Sequence, residues 1–240
     1  MVAVIGLAAL ATTGSNAVGS AAVTLPTDVV HVSPGAETVG VAHPVTITFA
    51  GDITDRAAAE RSIEITSSGP QPGTFTWLND RVVQWKPAGF LPAHSVITVT
   101  AGNFATSFQT GAAVVSVADI DAHTFTVSID GEVAREMPAS MGKPRFPTPT
   151  GNFTALEKQK VVVMDSRTIG IPLSDPEGYK LTVNDAVRVT WGGVYVHGAP
   201  WSVGSQGYAN VSHGCINLSP DNAAWYYDTV SIGDPIIIQA

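Results

Sequence analysis

The chain has one cysteine, Cys215, in the run Ser212-His213-Gly214-Cys215-Ile216-Asn217. A lone cysteine is usually a small buried apolar residue, but the neighbours of this one suggest chemistry. A thiol becomes a strong nucleophile when its proton is removed, and an imidazole can remove it. His213 stands two residues before Cys215, so in an extended turn the two side chains share a side. His197 lies 18 residues upstream, room enough for a strand end, a loop and a return. Gly214 clears the reacting face of a side chain, and the N–H groups at Gly214 and Cys215 could form an oxyanion hole. Each element also has a structural reading. Ser212 and Asn217 can serve as turn residues that satisfy backbone groups, and His197 as a hydrogen-bonding residue at a strand end. Zinc is a competing use of His197, His213 and Cys215, although no fourth ligand is evident.

These residues must be held by elements that the rest of the chain supplies. At 240 residues, 45% hydrophobic and 13% charged, the sequence can bury a substantial core. Twelve basic residues against 20 acidic ones leave a formal charge of -8. That balance offers no basic stripe for a phosphate backbone, so nucleic acid is not an expected partner. Sixteen prolines, 23 glycines and many Val/Thr alternations indicate short strands joined by turns, hence a mostly β protein.

Residues 2–11 are apolar or glycine, small polar residues follow, and no charge occurs before Asp28. The run is too short for a membrane span of about 20 residues. It reads as a signal-peptide-like segment, residues 1–27, with Ala17-Val18-Gly19 as a candidate cleavage site. The expectation is an exported protein of the periplasm or cell wall, membrane-tethered if the segment is kept.

Two domains are expected beyond it. Residues 28–112 carry about seven strand-like segments, including 45–49, 62–66, 95–100 and 104–110, with one helical turn at 55–62. Residues 74–77 and 82–85 flank Asn79-Asp80 and form a hairpin, with Phe75, Trp77, Val83 and Trp85 in an aromatic core layer. The spacing suggests an immunoglobulin-like β-sandwich without a disulfide. It has no cluster of titratable residues and reads as a spacer or positioning module. Residues 113–240 form the second domain. A hairpin turns at Asp130-Gly131, strands cover 152–157, 161–165, 187–191 and 193–197, and residues 236–239 close the fold. Ser219, Pro220 and Asp221 start a helix expected to run to about Asp228.

His197, a spacer, then Ser212-His213-Gly214-Cys215 and Asn217 resembles the signature of the L,D-transpeptidases, the family of the YkuD domain. Thr148-Pro149-Thr150-Gly151 and Gly233-Asp234-Pro235 resemble family turns, and an immunoglobulin-like module in front is similar to the mycobacterial members. The resemblance implies a β-rich catalytic domain with a lid over its site and no cofactor. It implies that Cys215 attacks a peptidoglycan stem tetrapeptide, expels D-alanine and passes the acyl group to a diaminopimelate amine, giving a 3→3 cross-link. Carbapenem β-lactams would acylate the same cysteine. His197 would be the base, oriented by the main-chain carbonyl of Gly198, where some relatives carry serine. His213, Gly214 and Cys215 would supply the oxyanion hole, with Tyr179, Met164, Trp201, Ser212 and Asn217 binding substrate. Water in place of the amine would make the enzyme an L,D-carboxypeptidase.

Overall fold

The computed structural model describes residues 28–240; the signal-like segment lies outside them. The N-terminal module contains β1 (Val29–Ser33), β2 (Thr38–Val39), β3 (Val45–Phe49), helix α1 (Arg56–Arg61), β4 (Ile63–Thr66), β5 (Gly73–Trp77), β6 (Val82–Pro87), β7 (Val96–Ala101) and β8 (Phe104–Thr110). They form two four-stranded sheets, ordered β1-β3-β6-β5 and β2-β8-β7-β4. Alternating residues such as Val45, Ile47, Phe49, Val83, Trp85, Ile97, Val99 and Phe108 fill the space between the sheets, as the period of a β-strand requires. The hairpin at Asn79-Asp80 forms. Its Phe75 and Trp77 are only partly buried, because β5 is an edge strand; Trp77 stacks on Phe49 at 5.9 Å.

The second domain contains β9 (Val114–Asp119), β10 (Thr124–Ile129), β11 (Glu132–Pro138), β12 (Gly151–Thr154), β13 (Glu157–Asp165), β14 (Lys180–Arg188), β15 (Tyr195–Gly198), β16 (Ile216–Leu218), helix α2 (Pro220–Thr229) and β17 (Pro235–Gln239). One sheet is ordered β11-β10-β9-β17-β12 and the other β13-β14-β15-β16. Between them lies a core of Phe125, Val127, Met137, Val196, Ile216, Leu218, Ile236 and Tyr226. Tyr226, on α2, meets Phe125 edge-on at 4.9 Å and accepts a hydrogen bond from Ser116 Oγ at 3.1 Å. The Ser219 hydroxyl caps α2 by accepting from the Asn222 N–H, and the helix ends one residue past the expected Asp228.

Four strand expectations change. The strand expected at 152–157 is β12, which stops at Thr154, and the one expected at 161–165 starts earlier, at Glu157, because pairing with β14 carries Glu157, Lys158 and Gln159 into β13. β14 starts at Lys180 and stops at Arg188 rather than spanning 187–191. Beyond it, Val189 and Thr190 bond to Val194 around the Gly192-Gly193 turn. β15 starts at Tyr195 rather than at 193, since Gly193 belongs to that turn and takes a positive φ of 100°. The long β13–β14 hairpin projects past the core, leaving Val161 and Val163 exposed, and it carries the 166–179 loop at its tip.

The two domains meet along a backbone seam. Gly40 N–H donates to the Ile232 carbonyl at 2.9 Å and Ala42 N–H to the Gly233 carbonyl at 2.9 Å. A Cβ at Gly40 would lie 2.1 Å from the backbone nitrogen of Asp234, so only glycine permits this approach.

Candidate active site

Strand pairing creates the site. β15 and β16 run parallel with Val196 beside Ile216, His197 beside Asn217 and Gly198 beside Leu218. Successive strand residues face opposite ways. Val196, Ile216 and Leu218 point into the main core, so His197, Asn217 and, one step earlier, Cys215 point to the other face. There Cys215 packs beside Met164, Tyr195 and Val183. This second face is the floor of a cavity of about 280 Å³ lined by Cys215, His197, His213, Ser212, Asn217, Tyr179, Met164 and Trp201. Eight residues expected from the sequence to form the site are thus brought to one concavity.

The geometry fixes the state of His197. Its Nδ1 lies 2.9 Å from the Gly198 carbonyl oxygen. A carbonyl can only accept, so Nδ1 carries a proton, and in the neutral ring Nε2 presents a bare lone pair. Burial lowers the imidazole pKa, against a smaller opposing effect of the Gly198 hydrogen bond. Burial thus favours the neutral ring, the form available as a base. Trp201, half exposed, sits with its ring 6.1 Å from that of His197.

Burial favours the neutral form of Cys215 as well. Removal from water pushes its thiol up to about 11, only partly countered by a hydrogen bond from the Tyr195 backbone. Its Sγ donates to the Gly193 carbonyl at 3.7 Å. Desolvation of both groups favours thiol and imidazole over thiolate and imidazolium at rest.

The turn holding Cys215 is braced from both sides. Ser212 Oγ accepts the Gly214 N–H at 3.0 Å and donates to the Cys215 carbonyl at 2.6 Å. Gly214 has φ of +114°, a region closed to L side chains. Thr148 Oγ1 receives the Gly142 N–H at 2.8 Å and donates to the Gly214 carbonyl at 2.9 Å. Two expectations change as a result. The Gly214 N–H is committed to Ser212, which leaves the N–H groups of His213 and Cys215 as the oxyanion donors to consider. Ser212 spends its hydroxyl inside the turn, so its part is to hold the backbone rather than to contact substrate through that hydroxyl.

His213 also differs from the simplest expectation. It lines the same cavity as Cys215, but its ring turns to the loop above. Nε2 lies 3.0 Å from Glu177 Oε2, with Phe146 at 4.7 Å and Tyr179 at 4.9 Å. Burial is the largest influence lowering its pKa, with Lys143 adding to it and Glu177 opposing. The three side chains considered for zinc thus engage different partners: Gly198 for His197, Glu177 for His213 and Gly193 for Cys215. Among the described residues no group of three or more His, Cys, Asp or Glu is gathered for a metal.

Ser202, Gln206 and Glu177 were not expected at the site. Asn217 Nδ2 donates to Ser202 Oγ at 3.2 Å, and Gln206 Nε2 reaches the same hydroxyl at 3.3 Å. These buried side chains form a polar wall behind His197, with Asn217 Oδ1 left without a partner. Burial raises the Tyr179 phenol pKa, and the nearby Cys215 and Asp165 add to it. Ser202 and Gln206 join locally through Ala199 and reach the site through Asn217, 15 residues from Ser202, while the partners of Glu177 lie 34 and 36 residues away, so no spacing signal marks them as site residues.

Residues 113–238 match the L,D-transpeptidase catalytic domain (YkuD) family, and residues 16–103 match a bacterial Ig domain. The chain belongs to the L,D-transpeptidase family. It is 59% identical over 209 residues to L,D-transpeptidase 1 of Mycobacterium tuberculosis, covering 87% of this chain and 83% of that protein. Among solved structures, an L,D-transpeptidase from Mycobacterium smegmatis superimposes with a TM-score of 0.84 at 71% identity, over 90% of this chain and all of the other. The LD transpeptidase LdtMt1 in complex with imipenem matches with a TM-score of 0.82 at 58% identity, over 89% of this chain and 99% of that one. The mostly β architecture and the pairing of an Ig-like module with an L,D-transpeptidase domain are both as the sequence led us to expect.

Proposed function

We propose that this L,D-transpeptidase joins peptidoglycan stem peptides by 3→3 cross-links through a thioester on Cys215. The observation that carries the reading is the β15–β16 pairing, which puts Cys215 and the Nδ1-protonated His197 on one face above a cavity. The thiol leaves the Gly193 carbonyl and gives its proton to His197 Nε2 as Sγ attacks the carbonyl between the third and fourth residues of a donor tetrapeptide. The N–H groups of His213 and Cys215 receive the developing oxyanion. The imidazolium then protonates the departing D-alanine amine, leaving the thioester and a neutral His197. A diaminopimelate side-chain amine of a second stem attacks the thioester, His197 takes its proton, and Sγ is reprotonated as it leaves. The energy of the donor peptide bond is kept in the thioester, so no ATP is needed outside the membrane.

Tyr179, Met164 and Trp201 line the cavity, and in this reading they bind the donor stem and restrict water. Water attack on the same thioester gives the alternative, an L,D-carboxypeptidase. Carbapenem acylation of Cys215 is supported by the imipenem complex of the relative. Export to the periplasm or cell wall is supported by the apolar run of residues 2–11, and the N-terminal module positions the catalytic domain on polymeric wall.

Purified protein given a stem tetrapeptide and analysed by mass spectrometry should yield a cross-linked dimer that has lost one D-alanine. Tripeptide alone would assign the carboxypeptidase reading, and unchanged tetrapeptide would contradict both.

A further inference from the structure

The loop at the tip of the β13–β14 hairpin is fastened at both ends. At its base, buried Ser166 donates its N–H to the Tyr179 carbonyl at 2.9 Å and its hydroxyl to the Ile171 carbonyl at 2.9 Å. The same hydroxyl accepts the Tyr179 N–H at 3.0 Å. Within the loop, Asp175 Oδ1 accepts the Glu177 N–H at 2.8 Å and the Asp175 carbonyl accepts the Gly178 N–H at 2.8 Å. Those bonds aim Glu177 outward from a preformed turn. Its carboxylate then crosses to the nucleophile's own scaffold. Oε2 is ion-paired with Lys143 Nζ and lies 3.0 Å from His213 Nε2.

Both partners are rigidly tied to Cys215. Lys143 N–H donates to the Ser212 carbonyl at 3.0 Å, and His213 is two residues from the sulfur. The side chains of this triad are only 18–27% exposed, and the His213 ring is packed between Phe146 and Tyr179. A partly desolvated carboxylate with two donors holds more firmly than an exposed surface pair. Tyr179 itself lines the cavity that holds Cys215.

We propose that Glu177 is a positioning residue that latches the 170–179 loop over Cys215 by holding Lys143 and His213 at one carboxylate oxygen. Its function is to keep the roof closed while the acyl-enzyme waits for its amine, an inference that rests on the thioester reading above. The latch acts through the loop and the His213 ring; Glu177 itself touches neither substrate nor sulfur. His213 then has two uses: its N–H faces the reacting carbonyl, and its ring is a strike plate for the loop.

The test compares the full chain with Glu177→Gln and Lys143→Gln in three measurements. The first is hydrogen exchange of residues 170–179. The second is iodoacetamide alkylation of Cys215, and the third is the ratio of hydrolysed to cross-linked product. In Glu177→Gln, exchange in the loop should rise by about tenfold or more, the scale of losing a charge-assisted contact. Alkylation should accelerate severalfold, because the roof opens, while product partition shifts toward hydrolysis. Lys143→Gln should move all three in the same direction but less, since the His213 contact remains. Unchanged loop exchange in both variants would overturn the latch, as would alkylation that slows together with product formation. If the parent forms no acyl-enzyme with donor peptide, the thioester reading fails, while exchange and alkylation still decide the latch.

Discussion

Iodoacetamide alkylation of Cys215 against pH probes the resting state of the nucleophile. With the thiol pushed up to about 11, about one part in 10⁴ is thiolate at pH 7, against roughly three parts in 100 for an ordinary cysteine of pKa near 8.5. Alkylation at pH 7 should therefore be about 300-fold slower than for a free cysteine. It should climb about tenfold per pH unit through pH 9 without a plateau. His197 is buried, which favours its neutral form, and a neutral ring does not hold a resting thiolate by charge. His197→Ala should leave that slope in place while lowering carbapenem acylation by about 10² to 10⁴, the usual cost of losing a general base. The two assays thus separate a base that acts during attack from a cation that acts beforehand. His213→Ala should cost less, since its ring faces Glu177 rather than the sulfur. A plateau in alkylation below pH 8 that vanishes in His197→Ala would refute the neutral pair and establish an ion pair in its place.

Further outcomes follow from the packing. Gly214→Ala has room for its Cβ, whose nearest neighbour would be 3.7 Å away, but not the backbone freedom for φ of +114°; it should cost about 1–3 kcal/mol and most of the acylation rate, read by thermal unfolding and by intact mass. Ser212→Ala leaves the buried Gly214 N–H without its acceptor, which should cost about 1–3 kcal/mol and lower Tm by several degrees. Asp234 is 1% exposed and burial raises its pKa to about 7. The folded state holds that proton to a higher pH than the unfolded chain does, so stability should fall as pH rises from about 4 to about 7, by up to about 4 kcal/mol. Denaturant titrations should show that Asp234→Asn removes this slope; a slope unchanged in the variant would place the effect elsewhere.

The sequence was most informative where chemistry and local geometry coincide. A unique cysteine beside histidine and glycine singles out Cys215, and Ser219-Pro220-Asp221 fixes the start of α2 because capping is a local interaction. The Asp130-Gly131 and Asn79-Asp80 turns are legible for the same reason. Features set by distant partners were not. β16 is three residues long and exists because β15 lies beside it, so no periodicity reveals it. The Ser212 hydroxyl could have faced substrate or backbone, and only the folded turn decides. Gly233-Asp234-Pro235 was visible as a turn, yet its role against Gly40 depends on a contact between domains. Glu177 stands in a polar loop like any solvated acid until Lys143 and His213 are brought to it.

The central claim is a covalent intermediate on one sulfur, and intact-protein mass measures it directly. Parent, Cys215→Ala and Cys215→Ser proteins are each mixed with a donor tetrapeptide or with imipenem and quenched in acid. The parent should gain the mass of the acyl tripeptide, or of intact imipenem, at a ratio of one per chain, and both variants should gain nothing. An adduct of the same mass on Cys215→Ala would contradict the account.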